Sequence, residues 1–344
     1  MQTALPPSPN GHAAVPPVAA RRPVRTMSGR RAILLVLLMM AVFGLVVAGL
    51  VVSRQWRQTE RLVAAGLRSP RGVALMPDDG LVVAEAGLPD AAGPRDRSTR
   101  PIGTARLTWI AEDSRGTLYD GLPGEYSGAR DQVSGLAALA PLPDTRILVL
   151  IGACGAPGCR ALHALDRGGH LTRLADLEGG DPWGLAVAAD GGAAFVSDEA
   201  TGAIWRIGLD GGAATPTTLA SLGPDASPRG LALGPDGALY AALFGAGRVV
   251  RIGMDGAVTP VADGFDQPIG LGWEPTGTLL VLEHATGRLL RLDPRSPARR
   301  TTITQGLDAP TSLLVARDGR AWVTTPTALF QIRRLGPPPP RTYV

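Results

Sequence analysis

Three carboxylates, Glu85, Asp198 and Glu283, stand at the same place in a pattern that the chain repeats six times. The set at that place reads Glu85, Ile151, Asp198, Leu243, Glu283 and Thr325, with Glu199 and His284 following two of the acids. Carboxylates gathered around one rim could ligate calcium or another divalent cation, which takes an oxygen shell. They could also divide acid and base work on a substrate such as a sugar or lactone. Equally, each acid could bond the amides of the following hairpin, or pair with Arg71 or Arg229 across the ring, because structural ion pairs put acids in such places too. A second column, one residue before the repeated glycine, reads Arg71, Ser134, Trp183, Arg229, Ile269 and Thr311. His12, His163, His170 and His284 show no pair at metal-clamp spacing, so solvated or structural roles are expected. Arg206, Arg248, Arg251, Arg288 and Arg291 are expected to form a solvated face. Neither a G-x-S-x-G elbow nor a phosphate loop is present. The only cysteines, Cys154 and Cys159 in CGAPGC, are too few for a zinc site and wrongly spaced for a C-x-x-C redox pair. In an oxidising compartment they are expected to form a disulfide.

The elements that must position these residues are short strands. Units align on Gly72, Gly135, Gly184, Gly230, Gly270 and Ser312, at intervals of 63, 49, 46, 40 and 42 residues. Runs such as SPRGVALMPDDGLVVAEAG (69–87) and SPRGLALGPDGALYAALFGAGRVVRI (227–252) repeat an apolar run, a Pro-Asp-Gly turn and a second apolar run. Asp bonds its own backbone in such a turn, and Gly accepts positive φ. A period of about 40–50 residues with four strand-like runs predicts the blades of a six-bladed β-propeller, an all-β fold of four-stranded sheets. The last unit ends after its third strand, Ala328–Arg333, while residues 61–67 resemble an outer strand. The two ends are therefore expected to pair and latch the ring. The longest insertion, Leu88 to Gly103, is expected as a loop on the face where the second strand ends.

Residues Ala32 to Val52 form 21 consecutive residues without a charged or strongly polar group, enough to span a bilayer as one helix. The run is longer than a cleavable signal usually shows, so an uncleaved anchor is favoured. Five arginines and no acid precede residue 53, which puts the N-terminus in the cytoplasm and the propeller outside it. Of the net +4, this tail holds +5, so the remainder is near neutral and lacks the basic face that nucleic acid requires. The expected organisation is a disordered tail over 1–31, the membrane helix over 32–52, a linker over 53–60, the propeller over 61–335 and a Pro-rich tail over 336–344.

The phrases SPRGVALMPDDGLVVAEAG and SPRGLALGPDGALYAAL resemble NHL-repeat propellers and the wider gluconolactonase/regucalcin-like superfamily, over about residues 61 to 333. DGLPGEYSGARDQVSGLAAL (120–139) is most similar to the propellers of scytonemin gene clusters. The resemblance implies that enzymatic members hold a divalent metal on the axis, with Asn and Asp in the column before the glycine. Here that column contains neither carboxylate nor amide. The expectation is a membrane-anchored binding or scaffolding module, without a cofactor, whose partners are the lipid bilayer and a protein, peptide or glycan. The alternative is a lactonase-like metal-dependent hydrolase or lyase using Glu85, Asp198 and Glu283, with calcium or another divalent cation.

Overall fold

A computed structural model describes Met39 and residues 59–88, 99–112, 114–127, 132–152, 159–177 and 179–333. The chain divides into two units at residue 53, and the architecture below belongs to the second, 54–344. Apart from Met39, the apolar segment 32–52 lies outside the described residues, as do the two tails and Cys154. Among the described residues no helix is long and apolar enough to cross a membrane.

Six antiparallel sheets follow one another along the chain. The first holds β2 (Pro70–Leu75), β3 (Leu81–Glu85), β4 (Thr99–Ala111), β5 (Ser114–Ser127) and β6 (Gln132–Ser134). The second holds β7 (Leu136–Pro141) to β10 (Leu171–Asp176), with β8 (Ile147–Ile151) and β9 (Ala161–Leu165) between. The third runs from β11 (Pro182–Val187) and β12 (Ala193–Asp198) through β13 (Ala203–Gly208) to β14 (Thr217–Ser221). The fourth comprises β15 (Pro228–Leu233), β16 (Leu239–Leu243), β17 (Arg248–Ile252) and β18 (Val258–Asp263). The fifth comprises β19 (Pro268–Trp273), β20 (Leu279–Glu283), β21 (Leu289–Leu292) and β22 (Arg300–Thr304). In the sixth, β23 (Ser312–Val315), β24 (Ala321–Thr325) and β25 (Ala328–Ile332) are completed by β1 (Glu60–Ala65) from the start of the domain. This is a six-bladed propeller, and the expected latch is present: Glu60 pairs with Ile332 and Ala65 with Ala328.

The second strand of every blade is buried along its whole length, because both of its faces meet another blade. In β16, Leu239, Ala241 and Leu243 pack towards the third blade, while Tyr240 and Ala242 pack towards the fifth. In β3, Val82 and Ala84 face the second blade, and Leu81 and Val83 face the sixth. A strand with two apolar neighbours loses the polar alternation of a half-exposed one, which explains runs such as Leu279-Leu-Val-Leu282. Turns between first and second strands follow the Asp-Gly chemistry: Asp236 Oδ1 accepts from the Ala238 amide at 3.3 Å, and Gly237 takes φ 74°.

The first blade departs from expectation. It has five strands, and residues 99–103 of the supposed loop are the start of β4. Residues 89–98 of that insertion lie outside the described residues. β3 pairs only with Arg106–Ile110 of β4, so the hairpin of β4 and β5 runs on beyond the end of β3. There β6 adds to it, Glu125–Ser127 pairing with Ser134–Gln132. Ala86, Ile102, Tyr126 and Val133 form a separate small core for this extension. Because β6 takes up Gln132-Val-Ser134, the inner strand of the second blade begins later than its repeat glycine suggests. Leu136 pairs with Ile151 as Pro70 pairs with Glu85, so the axial position is held by Ala137 and not Ser134.

Candidate functional site

The inner strands begin, and the second strands end, at one mouth of the central channel. Side chains can approach the axis there only because the backbones pack closely below them. A Cβ on Gly184 would stand 1.8 Å from the Arg229 carbonyl oxygen, and one on Gly230 would stand 2.6 Å from that of Ile269. Ser197 locks this approach, accepting from the Gly184 amide at 2.8 Å and donating to the Arg229 carbonyl at 2.7 Å. Thr311 donates to the Pro70 carbonyl at 2.6 Å, tying the last inner strand to the first. The channel they enclose has a volume of about 80 Å³ and is lined at the mouth by Arg71, Trp183 and Thr311.

The three rim acids do not face that channel. Each is fully buried within its own blade. Glu85 accepts from the Arg68 amide at 2.5 Å, from Arg106 Nε at 2.9 Å and from the Thr108 hydroxyl. Asp198 accepts from the amides of Asp181 and Ala200, at 2.9 and 3.0 Å, and from the Thr201 hydroxyl at 2.7 Å. Glu283 accepts from the Asp266 amide at 3.1 Å, the Thr286 hydroxyl at 2.5 Å and Arg288 Nε at 2.7 Å. Of these acids only Asp198 bonds amides of its following hairpin. Glu85 and Glu283 accept instead from the amides of Arg68 and Asp266, ahead of their inner strands, and their arginine partners are Arg106 and Arg288, not Arg71 and Arg229. Among the described residues no cluster of three metal-ligating side chains occurs.

Arg71, Trp183, Arg229 and His284, by contrast, are brought together. The Arg71 guanidinium carbon lies 4.6 Å from the centre of the Trp183 ring, and that of Arg229 lies 4.1 Å from it. Arg229 also lies 3.5 Å from the Phe244 ring centre, so it is held between two aromatic groups. Phe244 in turn meets His284 at 5.8 Å, and His284 Nδ1 lies 2.9 Å from the Pro310 carbonyl oxygen. Arg229 Nη2 pairs with Glu199 at 2.7 Å. Arg71, only 8% exposed, donates from Nη2 to the Val133 carbonyl of β6 at 2.7 Å. The Nε atoms of both arginines are buried without a hydrogen-bond partner. Burial, and then the neighbouring Arg229 charge, lower the Arg71 guanidinium to about 10, which leaves it cationic at neutral pH. Burial, and then Glu199, raise the Asp181 carboxyl, while Arg160 and Arg71 pull it down.

Asp181, Phe244 and Val133 are absent from the sequence-based set. Phe244 had a usable signal. The residue after each rim position reads Ala86, Gly152, Glu199, Phe244, His284 and Pro326, and three of these six bear on the mouth. The expected solvated arginine face also needs correction. Arg291 is buried, its Nε and Nη2 bonding Glu274 at 2.6 and 2.5 Å. No cysteine among the described residues is free, and Cys159 packs against the core between the first two blades.

The chain matches no family model and no curated protein. Among solved structures it is similar to a gluconolactonase from Xanthomonas campestris, with a TM-score of 0.59 and 18% identity over 79% of this chain and 88% of that one. Virginiamycin B lyase from Staphylococcus aureus gives a TM-score of 0.52 and 14% identity over 81% and 88% of the two chains. A putative oxidoreductase (glucose dehydrogenase) from Thermus thermophilus gives 0.56 and 18% over 79% and 98%. Closeness to scytonemin-cluster propellers finds no support among these. At such identities the likeness is one of fold, and what the chain shares with these enzymes is the six-bladed propeller itself.

Proposed function

We propose that this chain is a membrane-anchored binding module outside the cytoplasm, and that its ligand engages the channel mouth beneath the first-blade extension. One observation carries the reading. Arg71 and Arg229 converge on Trp183 with buried Nε donors unused, whereas the three rim acids are already satisfied by protein donors. Buried donors without partners beside a concave site are an unmet hydrogen-bonding demand, and a carboxylate accepting from amides, hydroxyls and guanidinium has little capacity left for a cation. The anchor is residues 32–52. A bridge between Cys154 and Cys159 fits the same location and is checked by non-reducing mass spectrometry.

The metal-dependent hydrolase reading makes an opposite forecast for calcium. A native-state metal site raises the melting midpoint in proportion to the logarithm of ion concentration. Melting the protein after chelation, with calcium added back in steps, should leave the midpoint unchanged. Stoichiometric calcium, or a midpoint climbing with its concentration, would replace the binding module with the enzyme.

A further inference from the structure

We infer that the channel mouth is a receptor for a single carboxylate, held between the guanidinium groups of Arg71 and Arg229 beside the Trp183 ring. The inference rests on the binding-module reading and supplies its ligand class.

Charge balance is the first support. Arg229 is paired with Glu199, and the Asp181 carboxyl faces Arg160 as well as Arg71. Arg71 is nine-tenths buried, yet its hydrogen-bond acceptor is the neutral Val133 carbonyl, and it has no carboxylate partner among the described residues. The Asp181 and Glu199 charges act on Arg71, but neither carboxylate makes an ion pair with it, and a guanidinium held out of water without such a pair is unfavourable unless a ligand completes it. A monoanion supplies that missing pair. A dianion such as phosphate would put a second negative charge beside Glu199 and Asp181.

Geometry is the second. Arg71 and Arg229 come from blades on opposite sides of the ring, yet both guanidinium groups lie against one indole. Arg71 Nε and Arg229 Nε are donors without partners, and a carboxylate has two oxygens to accept from such a pair. An anion there also relieves the repulsion between the two cations that lowers Arg71.

Size is the third. A channel of about 80 Å³ has room for a carboxylate and the atoms attached to it. A longer ligand body would extend past the mouth towards Phe244 and His284, the aromatic pair that continues from Arg229. Acids with a flat apolar body should exceed acetate for this reason.

Isothermal titration of the full chain in detergent, with acetate, benzoate, inorganic phosphate and benzyl alcohol as probes, tests the inference. Benzoate should bind at one site, acetate should compete for it more weakly, and phosphate and benzyl alcohol should bind at least tenfold more weakly than benzoate. Arg71→Gln should weaken benzoate at least tenfold. Glu199→Gln should strengthen it several-fold, an opposite sign that damage to the fold cannot imitate. Benzoate affinity unmoved by Glu199→Gln, or matched by benzyl alcohol, would overturn the carboxylate assignment. In that case, neutral binding abolished by Trp183→Leu would leave the binding module standing, whereas calcium-dependent stabilisation would remove the module itself.

Discussion

Burial and the neighbouring Glu199 hold the Asp181 carboxyl above its ordinary value of 3.8. The folded chain therefore binds this proton more tightly than the unfolded chain, and stability falls as pH rises from the ordinary value through the raised one. Asp181→Asn removes that loss. Its melting midpoint should exceed that of the wild type at neutral pH by about 2 °C, a shift expected of a fraction of a kcal/mol in a domain of this size. The gap should close as pH falls towards the ordinary carboxylate value. Calorimetry across that range decides it, and a gap that persists in acid would mean that the aspartate charge is not its source. Asp181 was not legible beforehand, since nothing in Asp181-Pro-Trp183 distinguishes it from a turn aspartate. The rim acids were legible as a column because second strands end in register. Their partners were not, because Arg106, Thr108, Thr201 and Arg288 belong to the third strands and hairpins, whose offsets differ from blade to blade.

Among the elements, the first-blade extension is the one that the repeat pattern obscures. Its strands carry no Pro-Asp-Gly turn, and Gln132-Val-Ser134 looks like the approach to an inner strand, which displaced the axial register from Ala137 to Ser134. Its small core is separate from the clusters between blades. Tyr126→Ala should therefore act locally. Removing a buried aromatic costs about 3–5 kcal/mol where the site cannot collapse, enough to free β6 and withdraw the Val133 carbonyl from Arg71. Hydrogen exchange should show lost protection over 122–127 and 132–134 with the inter-blade strands unchanged, as expected for one cooperative sub-unit. Loss of protection throughout the ring would show that the extension is integral to the propeller and not an addition to its rim.

The ring as a whole was the most legible feature, because a radial array imposes the same demands on every repeat: an apolar second strand, a tight turn and a small residue near the axis. Closure was legible for a related reason, since a final unit short of one strand must find it elsewhere. β1 supplies that strand through five paired positions with β25, and Ala64 and Leu67 are buried in the cluster between the sixth and first blades. About 1 kcal/mol for each of roughly four backbone bonds, with about 2–3 kcal/mol for a buried leucine, puts the latch near 6 kcal/mol. In a domain of this size 1 kcal/mol moves the midpoint by about 2–4 °C, so a chain beginning at residue 68 should melt at least 10 °C below one beginning at residue 54. The deficit should be reversible, because the lost strand is replaceable: a synthetic peptide of residues 59–67 should restore the midpoint in proportion to the logarithm of its concentration. If the two chains melt together, the ring is held by its inter-blade cores alone, and the pairing of its ends contributes nothing to its closure.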